Sequence, residues 1–214
     1  MILYGAGGHA KVVIDCLKAN RIDCKGLFDD NPQSLYTYGK YKILGNYQTS
    51  VLPEELLLIC VGDNYARLHI SKKINHRFAR LVHPNACVSP TNQLAEGCQV
   101  MAMAVLQAKS VLQQHVIVNT GAIVEHECYI GPFVHLAPSS TICGESLVGE
   151  GTFVGPGAVV ARGVHIGRWC ILGAGTVVTE SIPDYSVVLG VPGKVTETVR
   201  PRTGMEEPST PSLD

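Results

Sequence analysis

From Val82 onward every sixth residue is aliphatic: Val82, Val88, Leu94, Val100 and so on, without slip or insertion, to Ile166, Leu172 and Val178, seventeen positions in all. A helix repeats near 3.6 residues and a half-buried strand at 2, so a strict six fits neither as a simple face. It fits a coil with flat sides about six residues long, each pointing one large aliphatic inward. Three sides close a triangular turn of about eighteen residues, and turns stack as parallel strands about 4.8 Å apart. The stretch from Val82 to Val178 holds about five such turns, which predicts a prism about 25 Å tall.

Two other phases agree with the first. Four positions after each aliphatic stands mostly a small residue: Ala86, Cys98, Ala104, Ser110, Ala122, Cys128, Ser140, Ser146, Thr152, Ala158, Cys170 and Thr176. A corner crowded by the coils above and below requires small side chains. The position right after the aliphatic is often glycine, as at Gly131, Gly149, Gly155, Gly167 and Gly173. These glycines are expected to supply the backbone freedom of a sharp corner.

The first eighty residues follow a different pattern. Met1 to Tyr4 reads as a short apolar strand, and Lys11 to Ala19 as a helix with Val12, Val13, Ile14 and Leu17 inward. Gly26 to Asp30 reads as a second strand ending in acid, and Glu55 to Val61 as a third, fully apolar like a buried parallel strand. A helix is predicted around Tyr65 to Ile74 and a last strand over Phe78 to Val82. Alternating strands and helices imply a small doubly wound sheet. Beyond the ladder, Val187 to Leu189 predicts one more strand, Gly190 to Lys194 a turn, and the proline-rich stretch from Arg200 to Asp214 a disordered tail.

Composition narrows the function. A net charge of −1 with 16% charged residues leaves no basic footprint for nucleic acid. No apolar run is long enough to span a membrane and no secretory leader opens the chain, so a cytoplasmic protein without membrane insertion is expected. The eight cysteines include no C-x-x-C and no zinc spacing, and Cys98, Cys128 and Cys170 share the small inward phase. They are expected to pack, not to ligate, and no metal is expected.

Two segments carry chemistry. Gly5-Ala-Gly7-Gly8-His9-Ala10 lies between a strand and a helix start, where free N–H groups favour a phosphate, and Asp29 and Asp30 follow at the distance of a ribose-holding acid. A nucleotide or nucleotide-sugar phosphate, a bound NAD and a purely structural turn all remain readings of this loop. His9 sits within it. The second segment is Asn119-Thr-Gly-Ala-Ile-Val-Glu125-His126-Glu127-Cys128. His126 stands two residues past an inward aliphatic, so it points outward, where carboxylates beside it suit a general base; a solvated surface histidine is the plain alternative. His135 falls on a different face, so the two histidines converge only across subunits. His165 is read as a surface residue, and His69, His76, His83 and His115 carry no distinct signal.

The chain resembles the sugar acyltransferases of the sialic acid O-acetyltransferase and bacillosamine N-acetyltransferase type. The resemblance rests on Tyr4-Gly-Ala-Gly-Gly-His-Ala, Phe28-Asp-Asp, Val61-Gly-Asp-Asn, Leu81-Val-His-Pro, the Asn119 to Cys128 segment, Ile130-Gly-Pro-Phe-Val-His and Gly190-Val-Pro-Gly-Lys. It implies an α/β plus all-β chain, with a Rossmann-like nucleotide-sugar-binding domain over 1–81, a left-handed parallel β-helix of hexapeptide repeats over 82–196, and a tail over 197–214. It implies a homotrimer with acetyl-CoA in the groove between prisms. His126 would be the base and Glu127 the group that strengthens it. His135, Gly155, Pro156, Gly173, Ala174, Val191 and Lys194 would contact the cofactor. Gly8, His9, Ala10, Asp29, Asp30, Tyr65 and Asn119 would hold a nucleotide-sugar acceptor. Tyr65 departs from the family's usual acceptor loop.

The function expected is therefore direct N-acetylation of a nucleotide-linked amino sugar. The rivals are O-acetylation of a sialic acid or another sugar hydroxyl, and a non-catalytic nucleotide-binding module on a trimeric scaffold.

Overall fold

The structure, a computed structural model, describes residues 1–31 and 41–199. The chain opens on β1 (Ile2–Tyr4), α1 (Gly8–Ala19), β2 (Gly26–Phe28), β3 (Ile43–Gly45), β4 (Leu57–Ile59) and α2 (Asn64–Ser71). The four strands form a parallel sheet in the order β3-β2-β1-β4. Every residue of β1, β2 and β4 is buried, as the unbroken apolar runs require. Strand order reverses at β1, so the loops after β1 and β4 flank a switch point, the place where open α/β sheets take ligands.

Three details differ from the sequence pattern. The half-buried edge strand β3 goes beyond the four strands predicted; its three residues are too few for a periodic signal. On α1, Val12 faces outward at 41% exposure, and Ala10, Val13, Ile14, Cys16 and Leu17 form the buried stripe. The strand expected over 78–82 divides. Phe78 bridges Leu57 of the first domain, while Leu81 and Val82 are already the first rung of the prism.

The prism runs through seventeen two-residue strands, from β5 (Leu81–Val82) at six-residue steps to β21 (Val177–Val178). They sort into three parallel faces. The first face is β5-β8-β11-β14-β17-β20, the second β6-β9-β12-β15-β18-β21, and the third β7-β10-β13-β16-β19. Strand β22 (Ser186–Leu189) adds the predicted further rung to the first face, and β23 (Lys194–Thr198) returns antiparallel to it. Seven rungs at about 4.8 Å give a height of about 29 Å. The boundary expected at 196 falls inside β23, and the tail from Arg200 on lies outside the described residues.

The ladder is the core. From Val100 to Val178 each of its aliphatics is at most 1% exposed. The small residues crowd the corners as expected, and their polar atoms are satisfied between coils. The hydroxyls of Ser110, Ser146 and Thr152 donate to the carbonyls of Glu125, Ala161 and Gly167 at 2.7–2.9 Å, so burial leaves no orphaned group there. Cys98, Cys128 and Cys170 occupy the same phase as free, buried thiols; burial pushes the Cys98 and Cys170 thiols up to about 11.

The glycines after the aliphatics have a different reason from the one expected. Left-handed backbone occurs two residues later, and often not at glycine: Met103, Lys109, Glu127, Phe133, Glu145 and Trp169 all have φ between 54° and 63°. What Gly149 and Gly155 provide is room. A Cβ at Gly149 would lie 2.6 Å from the Gly167 carbonyl carbon, and one at Gly155 2.5 Å from the Leu172 oxygen. Successive coils touch there backbone to backbone. Among the described residues no helix is long and apolar enough to cross a membrane.

Candidate active site

The glycine loop is shaped by its own sequence. Gly5 has φ of 100°, and a Cβ on it would lie 2.9 Å from Val61, so only glycine serves. At Gly7 and Gly8, by contrast, an added Cβ would meet nothing within 4 Å. That open space lies in front of the N-terminus of α1, whose N-cap has no side-chain cap bond. First-turn N–H groups, which make no intrahelical bond, and the helix dipole suit such a place to a phosphate. Asp29 accepts from the Ala6 N–H at 2.5 Å and the Asn31 N–H at 2.8 Å, and Asp30 accepts from the Tyr4 hydroxyl at 2.6 Å. Both acids therefore fix the shape of the loop, and the exposed Asp30 borders it. The parallel sheet has four strands, fewer than a complete dinucleotide site requires.

Beneath this loop the two domains meet on the first face of the prism. His9 Nε2 lies 2.9 Å from Gln99 Oε1, and the Gln99 amide donates to Ile59 O at 2.9 Å. His9 thus ties the loop to the prism. Farther along, His135 Nδ1 lies 3.1 Å from Gly62 O and its Nε2 3.1 Å from Asn119 Nδ2. A carbonyl only accepts, so Nδ1 carries the proton and Nε2 accepts from the amide. Burial first, then the Arg67 charge, pushes the His135 imidazole down to about 3. It is a neutral imidazole throughout the physiological range.

Arg67, from α2, is fully buried and holds the seam. It donates to the carbonyls of His115, Val61, Gly62 and Phe133 and to Asn64 Oδ1 at 2.7–3.2 Å. Among the described residues no carboxylate pairs with it, and burial lowers it to about 9. His115 sits beside it, stacked on Phe133 at 5.1 Å, with Nδ1 buried and without a hydrogen-bond partner among the described residues. Below, Tyr65 packs edge-on against Trp169 at 6.2 Å and lines a cavity of about 260 Å³ with Asn64, Phe153, Ile171 and Val199.

His126 is elsewhere. It stands on the edge between the second and third faces, after β12 (Ile123–Val124), partly exposed as expected. Its Nδ1 lies 3.2 Å from Glu127 Oε2, and Lys109 approaches the other oxygen of Glu127 at 3.9 Å. A carboxylate accepts, so Nδ1 is the protonated nitrogen and Nε2 keeps a lone pair for a substrate proton. Glu145, one coil on, brings its carboxylate into the same cluster; donor atoms of His126, Glu127 and Glu145 all lie within 4.8 Å of one another. These donors are of a kind that metals accept, but Glu145 already has a counter-ion in Arg162 at 2.5 Å. His165 is exposed on the third face.

The residues expected at the cofactor lie on another edge. Gly155-Pro156 and Gly173-Ala174 turn between the first and second faces, in one column with Asn119. Pro156 and Ala174 are exposed, as are Val191 at 72% in the turn that closes the column and Lys194, which the sequence placed in that turn and which opens β23. One chain therefore brings His135, Asn119 and these corners together along one edge and leaves His126 and Glu127 on the next. Sequence reasoning missed Arg67, Gln99, Gly144, Glu145 and Arg162. The eighteen-residue step from Glu127 to Glu145 was the one available signal; nothing in the pattern marks Arg67.

Comparison with known proteins agrees with this architecture. Residues 1–74 match the family described as PglD N-terminal domain, and residues 145–180 the bacterial transferase hexapeptide (six repeats). A UDP-N-acetylbacillosamine N-acetyltransferase of Bacillus subtilis is 34% identical over 108 residues, 47% of this chain and 50% of that protein. An uncharacterized protein of Acanthamoeba polyphaga mimivirus is 33% identical over 111 residues, 23% of its length. The chain thus spans half or less of the curated relatives it matches. Among solved structures, a variant of perosamine N-acetyltransferase from Caulobacter crescentus in complex with CoA and GDP-perosamine is 36% identical, with a TM-score of 0.87 over 92% of this chain and 96% of that one. The acetyltransferase domain of PglB from Neisseria gonorrhoeae, in complex with acetyl coenzyme A, is 33% identical, with a TM-score of 0.85 over 91% and 98%.

Proposed function

The chain belongs to the hexapeptide-repeat sugar acetyltransferases of the bacillosamine and perosamine kind, and from that membership we propose that it transfers acetyl from acetyl-CoA to the amino group of a nucleotide-linked amino sugar. The observation that carries this reading is the pairing of His126 with Glu127, 3.2 Å apart on an exposed edge of a prism that also bears a glycine-loop domain. The relatives crystallised with CoA and GDP-perosamine support the substrate class.

The chemistry needs one base and no covalent intermediate. The amine enters neutral, its ammonium proton already given to solvent, and as its nitrogen attacks the thioester carbonyl His126 Nε2 takes the further proton that this nitrogen must lose. The tetrahedral intermediate collapses, the C–S bond breaks, and the coenzyme A thiolate takes the proton back from the imidazolium. Amide and free thiol leave. Glu127 holds the Nδ1–H tautomer and stabilises the transient positive charge. Holding amine and thioester in one groove supplies proximity. The glycine loop receives the acceptor's diphosphate at Gly7 and Gly8, and Asn119 and Tyr65 face the acceptor side. The corner column through Gly155 and Ala174 receives the cofactor, with His135 above it. Base and cofactor corner occupy different edges of one prism, so a complete site takes two copies, which a closed homotrimer provides.

The test is a coupled thiol-release assay with amino and hydroxy nucleotide sugars. Amino sugars should react and hydroxy sugars should not. His126→Ala should lower kcat/KM by about 10²–10⁴-fold. A His126→Ala enzyme within a few-fold of the parent would remove the base assignment, and turnover of the hydroxy sugar alone would favour O-acetylation.

A further inference from the structure

The cluster around His126 holds more charge than a single His–Glu pair needs. Glu127 and Glu145 are eighteen residues apart and occupy the same left-handed corner of successive coils, with φ of 59° and 63°. The Glu145 N–H donates to the His126 carbonyl at 2.9 Å, which fixes one coil on the other. Immediately before it, Gly144 backs the imidazole; a Cβ there would lie 2.6 Å from His126 Nε2. The floor under the ring and the second carboxylate therefore belong to one dipeptide. Glu145 does not approach the ring bare. Arg162, on the next coil, donates to its Oε1 at 2.5 Å.

We propose that Glu145, neutralised by Arg162, is a positioning residue for His126: it seats the coil beneath the base and presents a compensated carboxylate that leaves Glu127 as the acid coupled to the ring.

This rests on the reading of His126 as the base. The charged and titratable groups facing the imidazole are Glu127 at Nδ1, Glu145 and Arg162 from the coils below, Lys109 behind Glu127 from the coil above, and the neighbouring Glu125 and Cys143. The Glu145 carboxyl is held below the usual range first by its hydrogen bond to Arg162 and then by the Arg162 charge. Two bare carboxylates beside one imidazole would both favour the imidazolium, the form that cannot take a proton. Arg162 cancels one of them. The pair is exposed, with 70% and 47% of the two side chains accessible, and exposed ion pairs contribute little to folding. Substitutions here should leave the prism intact.

The experiment measures kcat against pH with both substrates saturating, so that weakened binding does not enter. Arg162→Met should move the acidic limb up by about half a pH unit, since it bares the Glu145 carboxylate within 4.8 Å of the imidazole. Glu145→Gln should move it down by about as much, since it leaves the Arg162 charge uncompensated. The double variant should return close to the parent profile, and Arg162→Lys should stay there. If Arg162→Met and the double variant both keep the parent limb while His126→Ala is inactive, Glu145 and Arg162 have no such role and the base assignment stands. If His126→Ala is active, the base assignment fails first.

Discussion

The imidazole of His126 rests against the α-carbon of Gly144: a methyl group there would stand 2.6 Å from Nε2. The two residues are eighteen apart and meet because one coil of the prism lies directly on the next. Gly144→Ala should therefore push the ring out of line without touching the core. A displacement near 1 Å typically costs about 10²-fold in rate. We expect kcat to fall to that extent with the melting temperature unchanged; kcat within threefold of the parent would mean that the ring position is not set by Gly144.

The seam histidines predict an acid-labile protein. Burial pushes His135 down to about 3 and His115 to about 4. Their ordinary value in the unfolded chain is about 6.5. Above that, both states are neutral and neither group affects stability. As pH falls below about 6.5 the unfolded state takes up protons that the folded seam refuses, so stability falls, down to the folded values of about 4 and 3. The loss is up to about 1.4 kcal/mol per pH unit for each group. Thermal melts from pH 8 to pH 4.5 should show it. His115→Phe should flatten the slope and gain most at the acid end, since Nδ1 has no partner to lose. An unchanged slope in that variant would count against the assignment.

Arg67 should be the residue on which the domain junction depends. Arg67→Ala takes the buried donor from the carbonyls of His115, Val61 and Phe133, while Gly62 O keeps His135 Nδ1, a loss of about 3–5 kcal/mol by analogy with broken buried charge networks. Limited proteolysis should then cut between Val61 and Asn64, a loop the parent protects. Arg67→Lys should rescue only in part, since an ammonium cannot reproduce the planar fork. Resistance equal to the parent in Arg67→Ala would show that the seam is held by its apolar contacts instead.

The proposed sharing of one site between copies predicts complementation. Ala174 is exposed, so Ala174→Trp should block the cofactor corner without disturbing the ladder. That variant and His126→Ala are each expected to be inactive. Refolded together in equal amounts, they should regain about a quarter of parental activity, because random assembly pairs an intact base with an intact corner at about that frequency. No recovery from mixed trimers verified by mass would place both halves of the site in one chain.

Most of the prism was legible because its contacts are periodic. Each coil sits on the one eighteen residues before it, so the inward aliphatics, the small corner residues and the duty of Cys98, Cys128 and Cys170 all repeat visibly in the linear order. The same period carries the outward position of His126. It misled only where a composition rule replaced geometry. The glycines after the aliphatics looked like flexible corners, but Gly149 is there because a neighbouring backbone leaves no space for a Cβ. Val12 looked like part of an apolar helix face and lies outside it, since three adjacent apolar residues, Val12, Val13 and Ile14, cannot all face one side of a helix.

What the sequence determined alone is the repeat: six-residue sides, inward aliphatics and the residues that each corner excludes or exposes, since local chain geometry and nearest coils fix all of these. What only the tertiary structure decided is everything that joins elements without a common period. Arg67 reaches carbonyls 48 and 66 residues away. His9 finds Gln99 across 90 residues. His135 turns toward Gly62 and away from His126's edge. Such contacts follow from how one domain lands on a face of the other, and that landing is set by packing of the whole seam, which leaves no trace in the order of residues along the chain.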